Sequence, residues 1–352
     1  MRAAQIDRPV KVLIVDDTRT IRAMIRSVLD GDPRFDVVGE AEDPYVARDM
    51  IKSLNPDVLT LDVEMPRMNG LVFLRNLMRL RPMPVLMVST RTSEQSEEAV
   101  TALSLGAVDC IDLKRVHGAP DIRVKLTETL MAAARAQLRK SGEEVRPQAQ
   151  SRGPSFQWTG QKIVIGSSTG GVDALERLFR HFPANCPPTF VAQHMPESFL
   201  ASFVRRLDGS VAPDVRLATA GAEAKQGTIY FAPGGSHHLE VTSGARTMCR
   251  LREDEGDQLY VPSVDLLFRS AVPTAKETVA IMLTGMGRDG AEAMLELRNG
   301  GARTVVQDAE SAVIDGMPGA ARAVGAAEIV AHLDRIAEKA LALCGKMEGA
   351  AA

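Results

Sequence analysis

The sequence predicts an α/β protein made of two doubly wound parallel-sheet domains. Short apolar runs alternate with amphipathic segments along most of the chain, as strands and helices do in parallel sheets. Polar residues stand where many of these runs stop, and the carboxyl ends of parallel strands meet at one edge. Because 352 residues exceed one ordinary core, we expect domains at residues 9–136 and 158–345, joined by a Pro-containing, apolar-poor linker at 137–157.

Composition narrows the class of protein. A net charge of −3 gives no basic surface for nucleic acid, so we expect no nucleic-acid partner. The chain has no apolar run long enough to cross a bilayer, and Met1 to Pro9 lacks an apolar signal core. We therefore expect a cytoplasmic protein without membrane insertion. The four cysteines are isolated, which predicts buried, reduced thiols.

The first domain is predicted to contain five strands and five helices. The strands are expected at Val10–Val15, Phe35–Gly39, Val58–Leu61, Val85–Val88 and Ala107–Ile111. The first helix is expected to carry Ile21, Met24, Ile25, Val28 and Leu29 on its apolar face. The other four helices are expected at Pro44–Leu54, Leu71–Arg81, Glu94–Leu105 and Ile122 to about Lys140.

Acidic residues stand at two strand ends of this domain. Asp16, Asp17 and Asp62 would converge at the sheet edge, where three carboxylates persist only beside a hard cation such as Mg²⁺. Ser89 and Lys114 follow neighbouring strands and would hold phosphate oxygens. Together these groups predict an aspartyl-phosphate site.

The segment Thr60–Gly70 (TLDVEMPRMNG) and these strand-end residues resemble the receiver domain of two-component response regulators. The resemblance implies a flavodoxin-type fold from Val10 to about Ala136, phosphorylated by a histidine kinase. It assigns phospho-acceptor Asp62, Mg²⁺ ligands Asp16, Asp17 and the Glu64 carbonyl, switch hydroxyl Ser89 and phosphate-binding Lys114. Two residues depart from the family: Arg115 replaces the usual proline, and Ile111 takes the place of a switch aromatic.

The second domain resumes the alternation at Lys162. Strands are predicted from Lys162 up to the turn at Gly166 and at Phe190–Gln193, Thr228–Ala232, Thr278–Leu283 and Arg303–Gln307. One helix is predicted to carry Leu175, Leu178 and Phe179 on its apolar face. The other helices are predicted at Ser198–Leu207, at Val264–Ala271 with Ser263 as N-cap, and at Ala291–Arg298.

The turn Gly166–Gly171 (GSSTGG) puts hydroxyls at a strand end and is followed by a helix N-terminus. Such a turn suits either a nucleophilic serine with its oxyanion hole or a phosphate. A dinucleotide fingerprint is the weaker interpretation, since the glycine spacing is Gly-x-x-x-Gly-Gly. The residues alone do not separate Ser167 from Ser168.

Three strands of this domain stop near Ser168, His194 and Asp289. If these strands are neighbours, the side chains meet in one crevice as nucleophile, base and orienting carboxylate. Asp173, Asp265 and Asp315 are competing acids. The adjacent histidines 237 and 238 are a second source of imidazole, without the spacing of a metal site.

The second domain resembles the catalytic domain of the protein-glutamate methylesterases of bacterial chemotaxis, the CheB family. The resemblance rests on five motifs: Ile165–Gly171, Gln193–Pro196, Ala232–Gly234, Pro262–Asp265 and Leu283–Gly287. It implies a Rossmann-like methylesterase domain with catalytic Ser168, His194 and Asp289, and oxyanion donors near Thr169 or Met286. Arg288 stands where the family often has Asn.

The two resemblances together imply phosphorylation-activated hydrolysis of glutamate γ-methyl esters on chemoreceptors, with glutamine deamidation through the same intermediate. They imply Mg²⁺ at the receiver and no cofactor for esterase catalysis. They also imply that the unphosphorylated receiver covers the esterase crevice. Two alternatives are a non-catalytic phospho-switch scaffold and a nucleic-acid-binding output domain; the intact triad argues against the first and the net charge against the second.

Overall fold

The computed structural model describes residues 8–89, 95–112, 120–136, 156–242, 244 and 246–347. The chain divides into two compact units, residues 1–145 and 146–352. No helix among the described residues is both long and apolar enough to cross a membrane.

The first unit is a five-stranded parallel sheet with helices between the strands. Its elements are β1 (Val10–Val15), α1 (Arg19–Asp30), β2 (Phe35–Ala41), α2 (Pro44–Leu54), β3 (Val58–Asp62), α3 (Gly70–Leu80), β4 (Val85–Ser89), α4 (Gln95–Ser104), β5 (Asp109–Asp112) and α5 (Pro120–Ala134). The strand order is β2-β1-β3-β4-β5, with every pair parallel. The order reverses at β1 and β3, so the ends of these two strands lie side by side.

The second unit is built on a seven-stranded sheet. Its elements are β6 (Phe156–Trp158), β7 (Lys162–Ser167), α6 (Gly171–Phe179), β8 (Thr189–Gln193), α7 (Glu197–Asp208), β9 (Asp214–Leu217), β10 (Thr228–Phe231), β11 (His237–Val241), β12 (Cys249–Glu253), α8 (Val264–Ala271), a 3₁₀ turn (Val272–Glu277), β13 (Thr278–Met282), α9 (Ala291–Asn299), β14 (Arg303–Gln307), α10 (Met317–Ala323), β15 (Ile329–Ala331), α11 (Leu333–Cys344) and β16 (Gly345–Met347).

The main sheet of this unit has the order β15-β14-β13-β7-β8-β10-β9 and is parallel throughout. Two parallel sheets with interleaved helices confirm the predicted fold class. Strand β7 lies at the centre, and all six of its residues are buried, as expected for a strand covered by helices on both faces. Its neighbours β13 and β8 bring three predicted site segments to one edge.

Several elements of the second unit are absent from the sequence prediction. The antiparallel hairpin β11–β12 and the antiparallel pair β6–β16 lie outside the main sheet. The charged–apolar alternation of Cys249–Glu253 was a visible strand signal, as was the helical spacing of buried residues in α11. The edge strands β9 and β15 have only four and three residues, so their side-chain patterns are too short to identify as strands from the sequence.

Candidate active site

The first unit gathers carboxylates at the ends of β1 and β3. Ligand oxygens of Asp16, Asp17 and Asp62 all lie within 4.8 Å of one another. Burial, together with the neighbouring acids, raises the pKa of Asp62 to about 7, and burial raises that of Asp16 to about 6. A crowded, half-buried set of oxygen donors suits a hard divalent cation, which offsets the repulsion among them. These residues therefore fit Mg²⁺.

Other predicted receiver residues are only partly described. Ser89 is the last residue of β4 and pairs with Asp112 of β5. The structure does not describe the Ser89 side chain. Lys114 and Arg115 lie outside the described residues. Ile111 is a buried residue of β5. Glu64 lies in the loop after Asp62.

The second unit distinguishes the two candidate serines. Ser167, the last residue of β7, is fully buried, and its hydroxyl donates a hydrogen bond to Oε1 of Gln193 at 2.6 Å. Ser168 follows at the strand end with 8% of its surface exposed. Its backbone N–H donates to the carbonyl of Thr284 at 3.0 Å. The Ser167 hydroxyl is therefore already engaged inside the protein, whereas Ser168 stands just beyond the end of β7 and keeps a small exposed surface.

Gln193 ties the serine turn to the histidine turn. Its Nε2 donates to the carbonyl oxygens of Ser168, at 2.9 Å, and His194, at 3.1 Å. The backbone N–H of His194 donates to the Ser167 carbonyl at 3.0 Å. A buried amide with all these partners fixes the spacing of the two strand ends. Gln193 is a residue whose role the sequence reasoning missed.

His194 and Asp289 form a buried pair. The Nε2 atom of His194 lies 2.8 Å from Oδ2 of Asp289, and their side chains are 7% and 11% exposed. The other ring nitrogen, Nδ1, is buried and has no hydrogen-bond partner among the described residues. Within the described chain, the Ser168 hydroxyl makes no hydrogen bond to this ring, so the predicted Ser168–His194 hydrogen bond is not formed here.

Asp289 also binds the N-terminus of α8. It accepts hydrogen bonds from the backbone N–H groups of Val264 at 2.7 Å and Asp265 at 3.0 Å, and from the Ser263 hydroxyl at 3.3 Å. Burial raises the pKa of this carboxyl, but the hydrogen bond and charge of His194, with the two N–H groups, outweigh burial and hold it below its usual value. Asp289 is therefore ionised at neutral pH and serves as a fixed acceptor for the imidazole.

Tyr260 covers one face of the His194 ring. The ring centroids are 4.2 Å apart and the planes are inclined by 11°. Burial and the nearby Asp289 carboxylate raise the pKa of the Tyr260 phenol. The stacked ring restricts rotation of the imidazole and presents a π face to it. Sequence reasoning missed Tyr260 because the contact joins residues far apart in the chain.

Two glycines allow the turns around Ser168 to come together. Gly170 has a φ of 77°, and a Cβ there would lie 2.6 Å from Cβ of Val313. A Cβ at Gly285 would lie 2.8 Å from Cβ of Ser168 and 2.4 Å from Sδ of Met317. The loop that carries Met286 is therefore packed directly against the Ser168 turn.

The remaining predicted residues are placed as follows. Thr169 is buried, and its carbonyl accepts the Thr284 hydroxyl at 3.0 Å. Arg288 is exposed and pairs with Glu292 along its own segment. Of the competing acids, Asp265 pairs with Arg269, Asp173 with Arg177 and Asp315 with Arg322. Among these four acids, Asp289 is the one that contacts His194.

Comparison with known proteins gives two family matches that together cover most of the chain. The model described as CheB methylesterase matches residues 163–340, and the response regulator receiver domain model matches residues 12–119. Similar proteins include the protein-glutamate methylesterase/protein-glutamine glutaminase 1 of Caulobacter vibrioides, 46% identical over 95% of this chain and 98% of its own length. The protein of the same name from Rhizobium johnstonii is 47% identical over 95% and 96%. The crystal structure of the Thermotoga maritima CheB methylesterase catalytic domain has a TM-score of 0.50 and 34% identity, covering 53% of this chain and 99% of that one.

Proposed function

Because the chain belongs to the CheB methylesterase family and carries a receiver domain, we propose that Ser168, His194 and Asp289 are its catalytic residues. Its activity is the hydrolysis of glutamate γ-methyl esters and the deamidation of glutamines in proteins, in chemotactic adaptation and under receiver control. We assign the receiver to residues 9–136 and the esterase to 158–345. The observation that carries the site assignment is the buried His194–Asp289 pair beside the strand end at Ser168.

The tautomer of His194 follows from its partners. Asp289 is ionised and accepts, so Nε2 carries the proton and Nδ1 holds the lone pair. We assign Nδ1 as the base that removes the Ser168 proton while Oγ attacks the ester carbonyl. This contact forms in the substrate complex, as catalytic hydrogen bonds commonly tighten on binding. Asp289 then stabilises the resulting imidazolium.

The tetrahedral oxyanion is proposed to accept hydrogen bonds from the backbone N–H groups of Thr169 and Met286, which belong to the Ser168 turn and to the loop packed against it. Each donor is worth about 3–4 kcal/mol in the transition state. The imidazolium returns its proton to the departing methoxide, so methanol leaves. Water, deprotonated by His194, then hydrolyses the acyl-enzyme; with a glutamine substrate the leaving group is ammonia. Esterase catalysis is proposed to need no cofactor.

The receiver is proposed to accept a phosphoryl group from a histidine kinase on Asp62. Asp16, Asp17 and the Glu64 carbonyl, together with Asp62, would hold Mg²⁺, which when bound offsets the negative charge of the phosphoryl group. Ser89 and Lys114 are proposed to contact the phosphoryl oxygens. The substrates are proposed to be cytoplasmic segments of chemoreceptors, and the enzyme is therefore proposed to act in the cytoplasm.

Methanol release from methylated chemoreceptor membranes tests the site. We expect Ser168→Ala to lower kcat by at least about 10³-fold, because no other group replaces the nucleophile. Ser167→Ala is the matched control: it removes the donor to Gln193 and lowers stability by about 1–3 kcal/mol, but leaves the nucleophile in place. An active Ser168→Ala enzyme, or a folded but inactive Ser167→Ala enzyme, would contradict the assignment.

A further inference from the structure

A second imidazole, that of His238, contacts the segment that holds the catalytic pair. His238, on β11, is completely buried, and its neighbour His237 is half-buried. The Nδ1 atom of His238 accepts the backbone N–H of Ser263 at 3.0 Å, and its Nε2 lies 3.3 Å from Oδ1 of Asp254. A backbone N–H can only donate, so Nδ1 must accept and the ring proton must sit on Nε2. Both nitrogens are thereby used within the protein.

Ser263 connects this imidazole to Asp289. It is the N-cap of α8, with its hydroxyl accepting the N–H of Leu266 at 3.3 Å. The next two residues along the chain supply the two N–H groups that Asp289 accepts. The position of the N-cap therefore sets the position of both donors, and through them that of the carboxylate that orients His194.

The same segment also carries Tyr260, whose ring stacks on His194. Residues 260–265 therefore contact the catalytic pair from two sides: the Tyr260 ring on the imidazole and the helix N-terminus on the carboxylate. The hydrogen bond from the Ser263 backbone N–H to His238 ties this segment to a different element, the hairpin strand β11.

We propose that His238 is a positioning residue of the esterase. Its Nδ1 atom accepts the backbone N–H of Ser263 and so holds Asp289 in the position from which Asp289 orients the His194 imidazole. The inference rests on the catalytic assignment of Ser168, His194 and Asp289. It assigns His238 no contact with substrate. Asp254 is the charged group that faces its other nitrogen, Nε2, whose N–H it accepts.

Two polar replacements separate the acceptor from the donor of the ring. In His238→Asn, the side-chain oxygen can occupy the place of Nδ1 and accept from Ser263. In His238→Gln, the amide nitrogen can occupy the place of Nε2 and donate to Asp254, but no acceptor faces Ser263. His237→Asn is the matched control on the adjacent residue. Each full-length variant is assayed for kcat, KM, the acid limb of kcat/KM against pH, and melting temperature.

We expect His238→Gln to lower kcat about tenfold with KM within twofold, and to move the acid limb to lower pH because a displaced Asp289 stabilises the imidazolium less well. His238→Asn should stay within about threefold of wild type with its acid limb unmoved, as should His237→Asn. Equal kcat values and acid limbs in the Asn and Gln variants, or losses that follow melting temperature alone, overturn the proposal. Ser168→Ala, in the same assay, separates the two levels: wild-type activity there overturns the catalytic assignment itself.

Discussion

The carboxylate of Asp289 accepts hydrogen bonds from Nε2–H of His194 and from the backbone N–H groups of Val264 and Asp265, which begin helix α8. One side chain thus orients the proposed base and caps a helix. Its pKa is held below the usual value despite burial. The two tasks make separate predictions for catalysis and for stability.

Replacing Asp289 by Asn tests both tasks. We expect kcat to fall roughly 10³–10⁴-fold, because the amide does not hold the imidazole in the required tautomer. The free energy of unfolding should fall by about 1–3 kcal/mol through weakened helix capping. Since the folded-state pKa is depressed, the stabilisation by Asp289 is present above the unfolded pKa of about 4 and is lost as pH falls through the lower folded value.

Denaturant unfolding of wild type and Asp289→Asn across pH 7 to 3 measures this difference. It should be constant from pH 7 to about 5 and shrink below about pH 4. Asp265→Asn is the control, since it retains the backbone N–H that Asp289 accepts. A difference that grows on acidification would contradict the depressed pKa.

The Tyr260 ring is expected to support the imidazolium of His194. Tyr260→Leu should lower kcat/KM about tenfold and shift its acid limb to lower pH, because a π face stabilises a neighbouring cation by about 0.5–2 kcal/mol. Tyr260→Phe keeps the ring and should stay within about threefold of wild type. Steady-state kinetics over pH 5 to 9 provide the comparison; equal losses in both variants would assign the effect to the phenol hydroxyl instead.

Gly285 is expected to tolerate no side chain. In Gly285→Ala the new Cβ would meet Ser168 and Met317, so the turns must separate and kcat should fall at least about tenfold. Gly209→Ala is the matched control: its Cβ has ordinary contacts, the nearest at 3.7 Å, and its φ is −74°. That variant should keep full activity and gain about 0.4–1 kcal/mol of stability. Wild-type kinetics in Gly285→Ala would show that the close approach is unimportant.

The carboxylates of Asp16, Asp17 and Asp62 are expected to bind Mg²⁺, and the loss of any one of these negative charges should lower the affinity. Titration calorimetry at pH 8, above the pKa of about 7 of Asp62, should show Asp17→Asn binding at least about tenfold more weakly than wild type. Asp49→Asn removes an exposed acid from α2 of the same unit and should bind as wild type does. Similar weakening in both variants would mean that net charge, not the cluster, determines binding.

Phosphorylation control is tested at Asp62. Asp62→Asn should lose the stimulation of esterase activity by a small-molecule phosphodonor with Mg²⁺ while keeping its basal rate, since the amide cannot form an acyl phosphate. The variant is compared with wild type in methanol release, with and without the donor. Equal stimulation of both proteins would place the regulatory phosphate elsewhere.

Much of the architecture follows from local pattern. The strand β1 and the helix α2 have their predicted ends, and Ser263 is the N-cap of α8 as expected. These succeed because buried parallel strands are continuous apolar runs and capping residues act on their own helix. The condition on which the predicted triad depended, that β7, β8 and β13 are neighbours, is met by the strand order.

The contacts that arrange the site have no such local signature. The stacking of Tyr260 on His194, the anchoring of Ser263 by His238, and the cross-links made by Gln193 join residues from different strands and loops. Their identity depends on which elements pack together, and periodicity carries no information on that. Similarly, both serines of the turn fit a nucleophile in sequence, and the complete burial and hydrogen bond of Ser167 separate them in the structure.

The helix-capping acid also affects how the enzyme can lose its activity. Ser168→Ala removes one hydroxyl and keeps the Cβ that packs in the turn, whereas a mutation at Asp289 removes the acceptor of two backbone N–H groups at the start of α8 as well as the orienting carboxylate. After gene duplication, we therefore expect inactive copies that drift neutrally to lose the Ser168 hydroxyl before they lose the Asp289 carboxylate. For the same reason, the Ser168 variant is the better inactive reagent for trapping a bound protein substrate.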